Sequence, residues 1–105
     1  MVEFSLDRVY EAYSVLSKVA RKTDLNKSTY FSGKNEVYLK TENLQLTGSF
    51  KLRGAYYKIS KLSPEEKQRG VIACSAGNHA QGVALAAKEN KIKATIFIPS
   101  SSPLS

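Results

Sequence analysis

The stretch from residue 71 to residue 99 places a helix-like segment between two apolar runs. The runs are VIACSA and KATIFIP, and Pro99 ends the second of them. Between the runs, apolar residues repeat at helical spacing from Asn78 onward, at Ala80, Val83, Ala84 and Ala87. A strand, a helix and a second strand in this order predict a right-handed crossover between two parallel strands. Because VIACSA is continuously apolar, we expect its strand to be covered on both faces of the sheet.

The segments before this unit predict more elements of the same kind. They are a helix from a cap at Asp7 to about Ala20, a strand over residues 36–40, a helix capped by Ser49, and a short helix that the capping box of Ser63 and Glu66 opens and Gly70 stops. Polar, turn-rich residues fill the stretch from 21 to 35. The prediction is an α/β fold, an open parallel sheet with helices on both faces. The helices are too few to cover such a sheet, so we expect a bare face or edge, and a chain that is either a fragment of a longer protein or a piece that needs partners.

Composition argues against two classes of partner. The formal net charge is +7, but the lysines and arginines are spread from Arg8 to Lys93 without a dense cluster, so nucleic-acid binding is not expected. No segment approaches the ~18 continuous apolar residues of a membrane span.

The single cysteine, Cys74, has no second thiol for a disulfide or a metal site, and its apolar neighbours predict a buried small hydrophobe. The first residues lack the pattern of a leader peptide, so a cytoplasmic location is expected.

Two loops are expected to meet beyond the carboxyl ends of the strands, where open α/β sheets bind ligands. They are TENLQLTGSFK, after the strand at 36–40, and SAGNHAQG, after the strand at 71–74. Neither loop contains the glycine fingerprint of dinucleotide-binding folds or the Gly-Lys-Ser/Thr of a phosphate-binding loop. The sequence therefore does not predict a nucleotide site.

In the first loop, Lys51 is the residue that could act as a nucleophile or a base. If Ser49 caps the helix, Lys51 lies in the first turn, where the helix dipole and low solvent exposure would both disfavour an ammonium ion. A neutral amine, or an imine formed with an aldehyde, removes that conflict and provides a nucleophile and a base. The alternative is a lysine that extends its charged end into water.

The second loop has several groups that suit an anion. They are the backbone N–H groups around Gly77 and Asn78, the hydroxyl of Ser75, the amide of Asn78 and the chain's single imidazole, on His79. Small residues let a ligand approach the main chain, and a helix start attracts negative charge, so a carboxylate would fit. The alternative is that Asn78 is only an N-cap and His79 an ordinary surface residue.

At these two loops the sequence resembles the fold-type II pyridoxal-phosphate enzymes, and most closely the threonine/serine dehydratase family. KTENLQLTGSFKLRGA, residues 40–55, is similar to the family's cofactor-lysine segment, and SAGNHAQGVA, residues 75–84, to its substrate loop. The order and separation of the two motifs also agree. The resemblance implies pyridoxal phosphate as cofactor, a small amino acid as substrate and a homo-oligomer as the full-length protein, with residues 1–105 as the N-terminal segment of the catalytic domain.

The resemblance also implies a role for each matching residue. Lys51 would hold the cofactor covalently and remove the α-proton of the substrate, Phe50 would pack on the cofactor ring, and Asn78 would hydrogen-bond its phenolic oxygen. Ser75, Gly77, Asn78 and His79 would bind the substrate carboxylate. The implied reaction is β-elimination from L-threonine or L-serine, which gives a 2-oxo acid and ammonia.

Two other functions stay open from the sequence. Serine racemases resemble the second loop but have a serine where this chain has Ala76, and an alanine cannot transfer a proton, so a dehydratase is favoured. A non-catalytic interaction module is the other alternative. The family's glycine-rich phosphate-binding segment and the partner of the cofactor's ring nitrogen have no match in these residues, so we expect the piece alone to be inactive.

Overall fold

The computed structural model describes residues 4–102. The helices are α1 (Leu6–Leu16), α2 (Lys51–Ser60), α3 (Pro64–Arg69) and α4 (Asn78–Glu89). The strands are β1 (Leu25–Lys27), β2 (Tyr38–Lys40), β3 (Val71–Cys74) and β4 (Ala94–Phe97), and a 3₁₀ turn covers Glu42–Leu44. None of the helices in this part of the chain is long and apolar enough to cross a membrane.

The predicted strand–helix–strand unit is confirmed. β3 and β4 pair in parallel, with Val71 opposite Ala94 and Cys74 opposite Phe97, and α4 packs against both strands. α2 lies against α4, and together they enclose the hydrophobic core, which consists of Ala55, Ile59, Ala73, Val83, Ala86, Ala87 and Ile92. The α/β class follows from this unit, because the core lies between the parallel pair and the two helices.

The strand predicted at 36–40 has a different partner from the one expected. β2 pairs antiparallel with β1 in a separate two-stranded sheet, with Leu25 opposite Lys40. β1 lies in the polar stretch that the sequence predicts as turns, and all three of its residues are exposed. Because backbone pairing holds it and no buried side chain does, its sequence carries no apolar pattern. The described residues thus form two pairs of strands instead of a three-stranded parallel sheet.

The parallel pair is covered on one face only. Ala73 faces the core, whereas Ile72 is 75% exposed and Phe97 58% exposed on the opposite face. The predicted bare face is therefore confirmed, and the helices predicted on that side are not formed by residues 4–102. The expectation that VIACSA is covered on both faces and that Cys74 is buried is wrong for the described structure, because Cys74 points away from α4 and is exposed.

Both predicted ends of α3 match the structure, and both predicted ends of α1 do not. The capping box at the start of α3 is present, and Gly70 ends that helix with a φ of 84°. α1 has Ser5 as its N-cap, since that residue is extended and its Oγ accepts a hydrogen bond from the N–H of Arg8. Asp7 therefore lies inside α1, which ends at Leu16 before a turn that extends to residue 20.

Candidate active site

Lys51 is the first residue of α2. The N-cap position belongs to Phe50, whose backbone is already helical and whose side chain makes no capping hydrogen bond. The predicted cap, Ser49, lies one residue earlier, is buried, and accepts a hydrogen bond of 3.4 Å from the N–H of Lys51 through its Oγ. The start of α2 is therefore poorly capped by its own side chains.

The side-chain amine of Lys51 is accessible, and its hydrogen-bond donors are unused within residues 4–102. Its Nζ lies 5.1 Å from the centroid of the Phe50 ring, which is itself 59% exposed. Within residues 4–102 this Nζ makes no hydrogen bond or ion pair. The low exposure expected for Lys51 is wrong for the described residues, because nothing in this part of the chain covers its side chain. The structure thus presents an open amine beside an open aromatic face.

The turn between β3 and α4 is held by its own polar groups. The N–H of Ser75 donates to the carbonyl of Phe97 at 3.1 Å, which continues the parallel ladder past the end of β3. The N–H of Gly77 donates to the Oγ of Ser75 at 3.3 Å. Ser75 is half-buried, and Gly77 is exposed. These two bonds fix the direction in which α4 leaves the sheet.

The first turn of α4 leaves donors free. Gly77 is the N-cap, so Asn78 is the first helical residue and not the cap that the sequence allowed as an alternative. The N–H groups of Asn78, His79 and Ala80 donate to no acceptor among residues 4–102. Free N–H groups and the helix dipole make this turn able to receive an anion. The sequence does not predict a role for Ala80, because the group that this residue contributes is its backbone N–H.

His79 also faces a second feature. Its side chain lines an open cleft of about 240 Å³ between α2, β3 and α4, together with Ala55, Ile59 and Val83. Lys51 does not line this cleft. The structure therefore brings His79 to the start of α4 as predicted, beside a cleft that Lys51 does not line.

Close packing of α2 on α4 brings the two motifs together. A Cβ added at Gly82 would lie 3.1 Å from both the carbonyl carbon and the carbonyl oxygen of Lys51, and 3.2 Å from the nitrogen of Leu52. Gly82 follows Asn78 by four residues, so both lie on the same side of α4, about 6 Å apart along its axis. The backbone of Lys51 is therefore about one helical turn from the anion-receiving end of α4. In the sequence this position is only a glycine inside a helical pattern, which by itself does not indicate a site.

An ion pair holds the beginning of α2 from its other side. Arg53 contacts Glu42 with one edge of its guanidinium group, Nε to Oε2 at 2.8 Å and Nη2 to Oε1 at 2.9 Å. The hydroxyl of Thr23 donates to the same Oε1 at 2.6 Å. Chiefly because of the Arg53 hydrogen bonds, and further because of the Thr23 hydroxyl, the pKa of Glu42 is lowered to about 2. The carboxylate stays charged through the whole physiological range.

This ion pair predicts a dependence of stability on pH. Since the pKa of Glu42 is about 2 in the folded protein and near 4.5 otherwise, its stabilising contribution is complete above pH 4.5 and is lost as the pH falls towards 2. Between pH 6 and pH 3, the wild type should lose about 2 kcal/mol more unfolding free energy than Glu42→Gln does. Urea unfolding at both pH values measures this difference. Glu11→Gln, which removes an exposed carboxylate, is the control and should give a smaller one; equal differences would contradict the prediction.

Comparison with known proteins identifies the family. The profile of the pyridoxal-phosphate dependent enzyme family matches residues 16–105. The L-threonine dehydratase biosynthetic IlvA of Lactococcus lactis is 54% identical over 101 residues, and the L-threonine ammonia-lyase of Thermotoga maritima is 55% identical over 103 residues. These alignments include 94% and 96% of this chain but 24% and 26% of the relatives. The chain thus spans about a quarter of the length of these two curated relatives.

Solved structures show the same fold. Maize serine racemase superimposes with a TM-score of 0.88 at 37% identity, over 94% of this chain and 31% of that one. The processed form of threonine deaminase isoform 2 from Solanum lycopersicum gives a TM-score of 0.78 at 38% identity, over 97% and 30%. The predicted fold class and the predicted cofactor of the family are confirmed. The chain belongs to the pyridoxal-phosphate dependent enzyme family.

Proposed function

We propose that residues 1–105 are the N-terminal segment of a pyridoxal-phosphate dependent ammonia-lyase that converts L-threonine or L-serine to a 2-oxo acid and ammonia. The observation that carries the proposal is the contact between Gly82 and the backbone of Lys51. It brings the backbone of Lys51, whose side chain has an accessible amine, within about one helical turn of a helix start that can receive an anion. The names of the Lactococcus and Thermotoga relatives support the choice of reaction.

The residues around Lys51 fit the cofactor. An aldehyde-bearing cofactor needs an amine with no competing partner, and the Nζ of Lys51 has none within residues 4–102. A flat ring system needs an exposed apolar surface, which Phe50 offers beside that amine. We assign Lys51, Phe50 and Asn78 to hold the cofactor. When bound, the cofactor supplies the electron-withdrawing system that acidifies the α-hydrogen of an amino acid.

The chain's own residues then have distinct tasks. The Nζ of Lys51 takes the proton from the α-carbon of the substrate, since an amine next to the reacting carbon is a suitable general base. The turn from Ser75 to His79 binds the substrate carboxylate through its hydroxyl, amide and free backbone N–H groups. Loss of the β-hydroxyl as water and hydrolysis of the resulting enamine give the 2-oxo acid and ammonia.

Serine racemization is the second candidate, and the TM-score of 0.88 with maize serine racemase favours it. That reaction requires a second proton-transferring group on the opposite face of the substrate. Ala76, in the turn where the racemases that this loop resembles have a serine, has no ionisable group. We therefore expect ammonia and a 2-oxo acid from L-serine; D-serine formed without ammonia would assign the protein to the racemases instead.

Borohydride reduction of the full-length protein with its cofactor tests the assignment of Lys51. Reduction makes the bond between cofactor and lysine permanent, and peptide mapping then locates it. We expect the label on Lys51 and on neither Lys58 nor Lys61, which belong to the same helical region. A label on any other lysine would remove Lys51 from the mechanism.

The partners and the location belong to the same proposal. We propose a homo-oligomer in the cytoplasm, with no nucleic-acid or membrane partner. The uncovered apolar face around Ile72 and Phe97 supports burial by further protein, and the positive charges are dispersed, with some of them paired to carboxylates. A salt-sensitive affinity for nucleic acid would instead favour a non-catalytic binding module.

A further inference from the structure

We propose that Arg53 and Glu42 are positioning residues, which act as one unit to hold the first turn of α2, and with it Lys51, in the orientation that the reaction requires. This inference rests on the proposed function. Neither residue belongs to the groups assigned above to cofactor or substrate. Their effect on the reaction would pass through the backbone of α2.

The need for such a unit follows from the start of α2. Most helices begin with a side chain that accepts a hydrogen bond from the first turn, as Ser63 does for α3. Phe50 offers no such group at the start of α2, and the bond from the N–H of Lys51 to Ser49 is long, at 3.4 Å. A helix start without a good cap frays, so other contacts must hold Lys51 in place.

The Arg53–Glu42 pair has the geometry for this task. Two parallel N–H···O bonds fix the orientation of the guanidinium group as well as its position. The Glu42 side chain is only 15% exposed and that of Arg53 34% exposed, so water competes weakly for these bonds. Glu42 begins the 3₁₀ turn and Arg53 lies two residues beyond Lys51, so the pair closes the loop that leads into α2.

The same loop is anchored to the segment before β1. Gln45, which is 4% exposed, accepts a hydrogen bond from the N–H of Arg21 at 3.0 Å and donates one to its carbonyl at 2.6 Å. The Nη2 of Arg53 donates to this carbonyl as well, at 3.3 Å. The loop, the segment at residue 21 and the first turn of α2 are therefore joined in one polar network.

The network and Gly82 contact α2 from different directions. Residues two apart in a helix point roughly 200° away from each other, so Arg53 projects from the side opposite to Lys51. The backbone of Lys51 lies against Gly82 of α4, whereas Arg53 reaches Glu42. The first turn of α2 is held by these two contacts and by Leu52, whose side chain is fully buried, so removing the ion pair loosens the turn on the side of Arg53 without unfolding α2.

The end of α2 provides a matched control. Lys61, the residue that caps this end, pairs with Glu11 of α1, and the hydroxyl of Tyr57 donates to the same carboxylate at 2.9 Å. This pair also joins α2 to another part of the chain, but both of its charged side chains are close to half exposed and lie far along the helix from Lys51. Breaking it tests whether loss of any ion pair on α2 has the same effect.

The experiment uses the full-length protein with the variants Arg53→Met, Arg53→Lys and Glu42→Gln, and the control Glu11→Gln. Amide hydrogen exchange in the cofactor-free protein compares residues 53–55, the first of α2 whose N–H groups donate to a carbonyl, with residues 57–60. We expect Arg53→Met and Glu42→Gln to speed exchange in the first segment by about 10-fold with little change in the second, because only the local contact is lost. Arg53→Lys, which keeps the charge but loses the two-pronged contact, should restore part of the protection.

Kinetics and a double variant complete the test. We expect Arg53→Met to lower kcat by about 10-fold with less effect on KM, and Arg53→Met combined with Glu42→Gln to be no worse than either change alone. Uniformly faster exchange along α2, or the same pattern in Glu11→Gln, would overturn the inference. If Arg53→Met does not fold, the same comparison is made with Arg53→Lys and Glu42→Gln.

Borohydride labelling of the wild type separately tests the proposed function, since a label away from Lys51 contradicts that function whatever the exchange data show.

Discussion

Lys51→Ala is expected to lower the rate of 2-oxo acid formation by at least about 10³-fold, the largest effect of any substitution in this chain. The change removes the amine that is proposed both to hold the cofactor and to take the α-proton. The contact with Gly82 places the backbone of Lys51 against α4 near its anion-receiving end, so a lysine elsewhere in α2 would not present its amine at the same place.

The fold should survive this substitution. Lys51 is exposed, makes no hydrogen bond or ion pair through its amine within residues 4–102, and lies at a helix start, where a positive charge is unfavourable. The unfolding free energy of Lys51→Ala should therefore stay within about 0.5 kcal/mol of the wild type. Lys18→Ala, which removes another exposed lysine after the end of α1, is the control and should keep full activity. Activity of Lys51→Ala within about 10-fold of the wild type would contradict the mechanism.

The part of the fold that could be predicted is the part with local signals. β3, α4 and β4 are read directly from two apolar runs and a helical repeat, because a parallel pair with a crossover helix buries one side of every element. Both ends of α3 can also be predicted from the sequence, since Ser63, Glu66 and Gly70 each have a specific role at a helix end.

What the sequence could not predict depends on partners distant in the chain. β1 has exposed residues only and is recognisable only by its pairing with β2. The exposure of Cys74 depends on which face of the sheet the helices cover, and an apolar run does not contain that information. The network of Glu42, Arg53 and Gln45 likewise joins residues that have no common local pattern.

The sequence predicts that the two loops of the candidate site lie together. The structure brings them together, but through different elements from those expected. The sequence placed the two loops together because both would follow strands of one parallel sheet, and β2 is not in that sheet. They meet because α2 packs on α4, with Gly82 allowing the backbone of Lys51 to approach. The roles of Lys51, Phe50, Ser75, Gly77, Asn78 and His79 stay predictions, and the close approach of the two helices is what makes them testable as one site.

Gly82→Ala is expected to have the second largest effect on the reaction, a fall in kcat/KM of about 10-fold or more. A new Cβ would lie 3.1 Å from the carbonyl carbon and oxygen of Lys51, closer than ordinary van der Waals contact, and both of these atoms belong to the backbone. Neither can rotate away as the end of a side chain can, so α2 must shift relative to α4 by a few tenths of an ångström. Since a shift of about 1 Å at a reacting group costs on the order of 10²-fold in rate, we expect this smaller shift to cost about 10-fold or more.

Gly54→Ala is the matched control for this prediction. Gly54 is also inside a helix, but a Cβ added there would meet nothing within 4 Å. Alanine is the better helix former, so Gly54→Ala should raise the unfolding free energy by about 0.5–1 kcal/mol and leave kcat/KM unchanged. In Gly82→Ala the same gain is opposed by the clash with Lys51. If both alanine variants were equally active, the contact between Gly82 and Lys51 would not control the position of the amine, and the two motifs would have to be joined by some other contact.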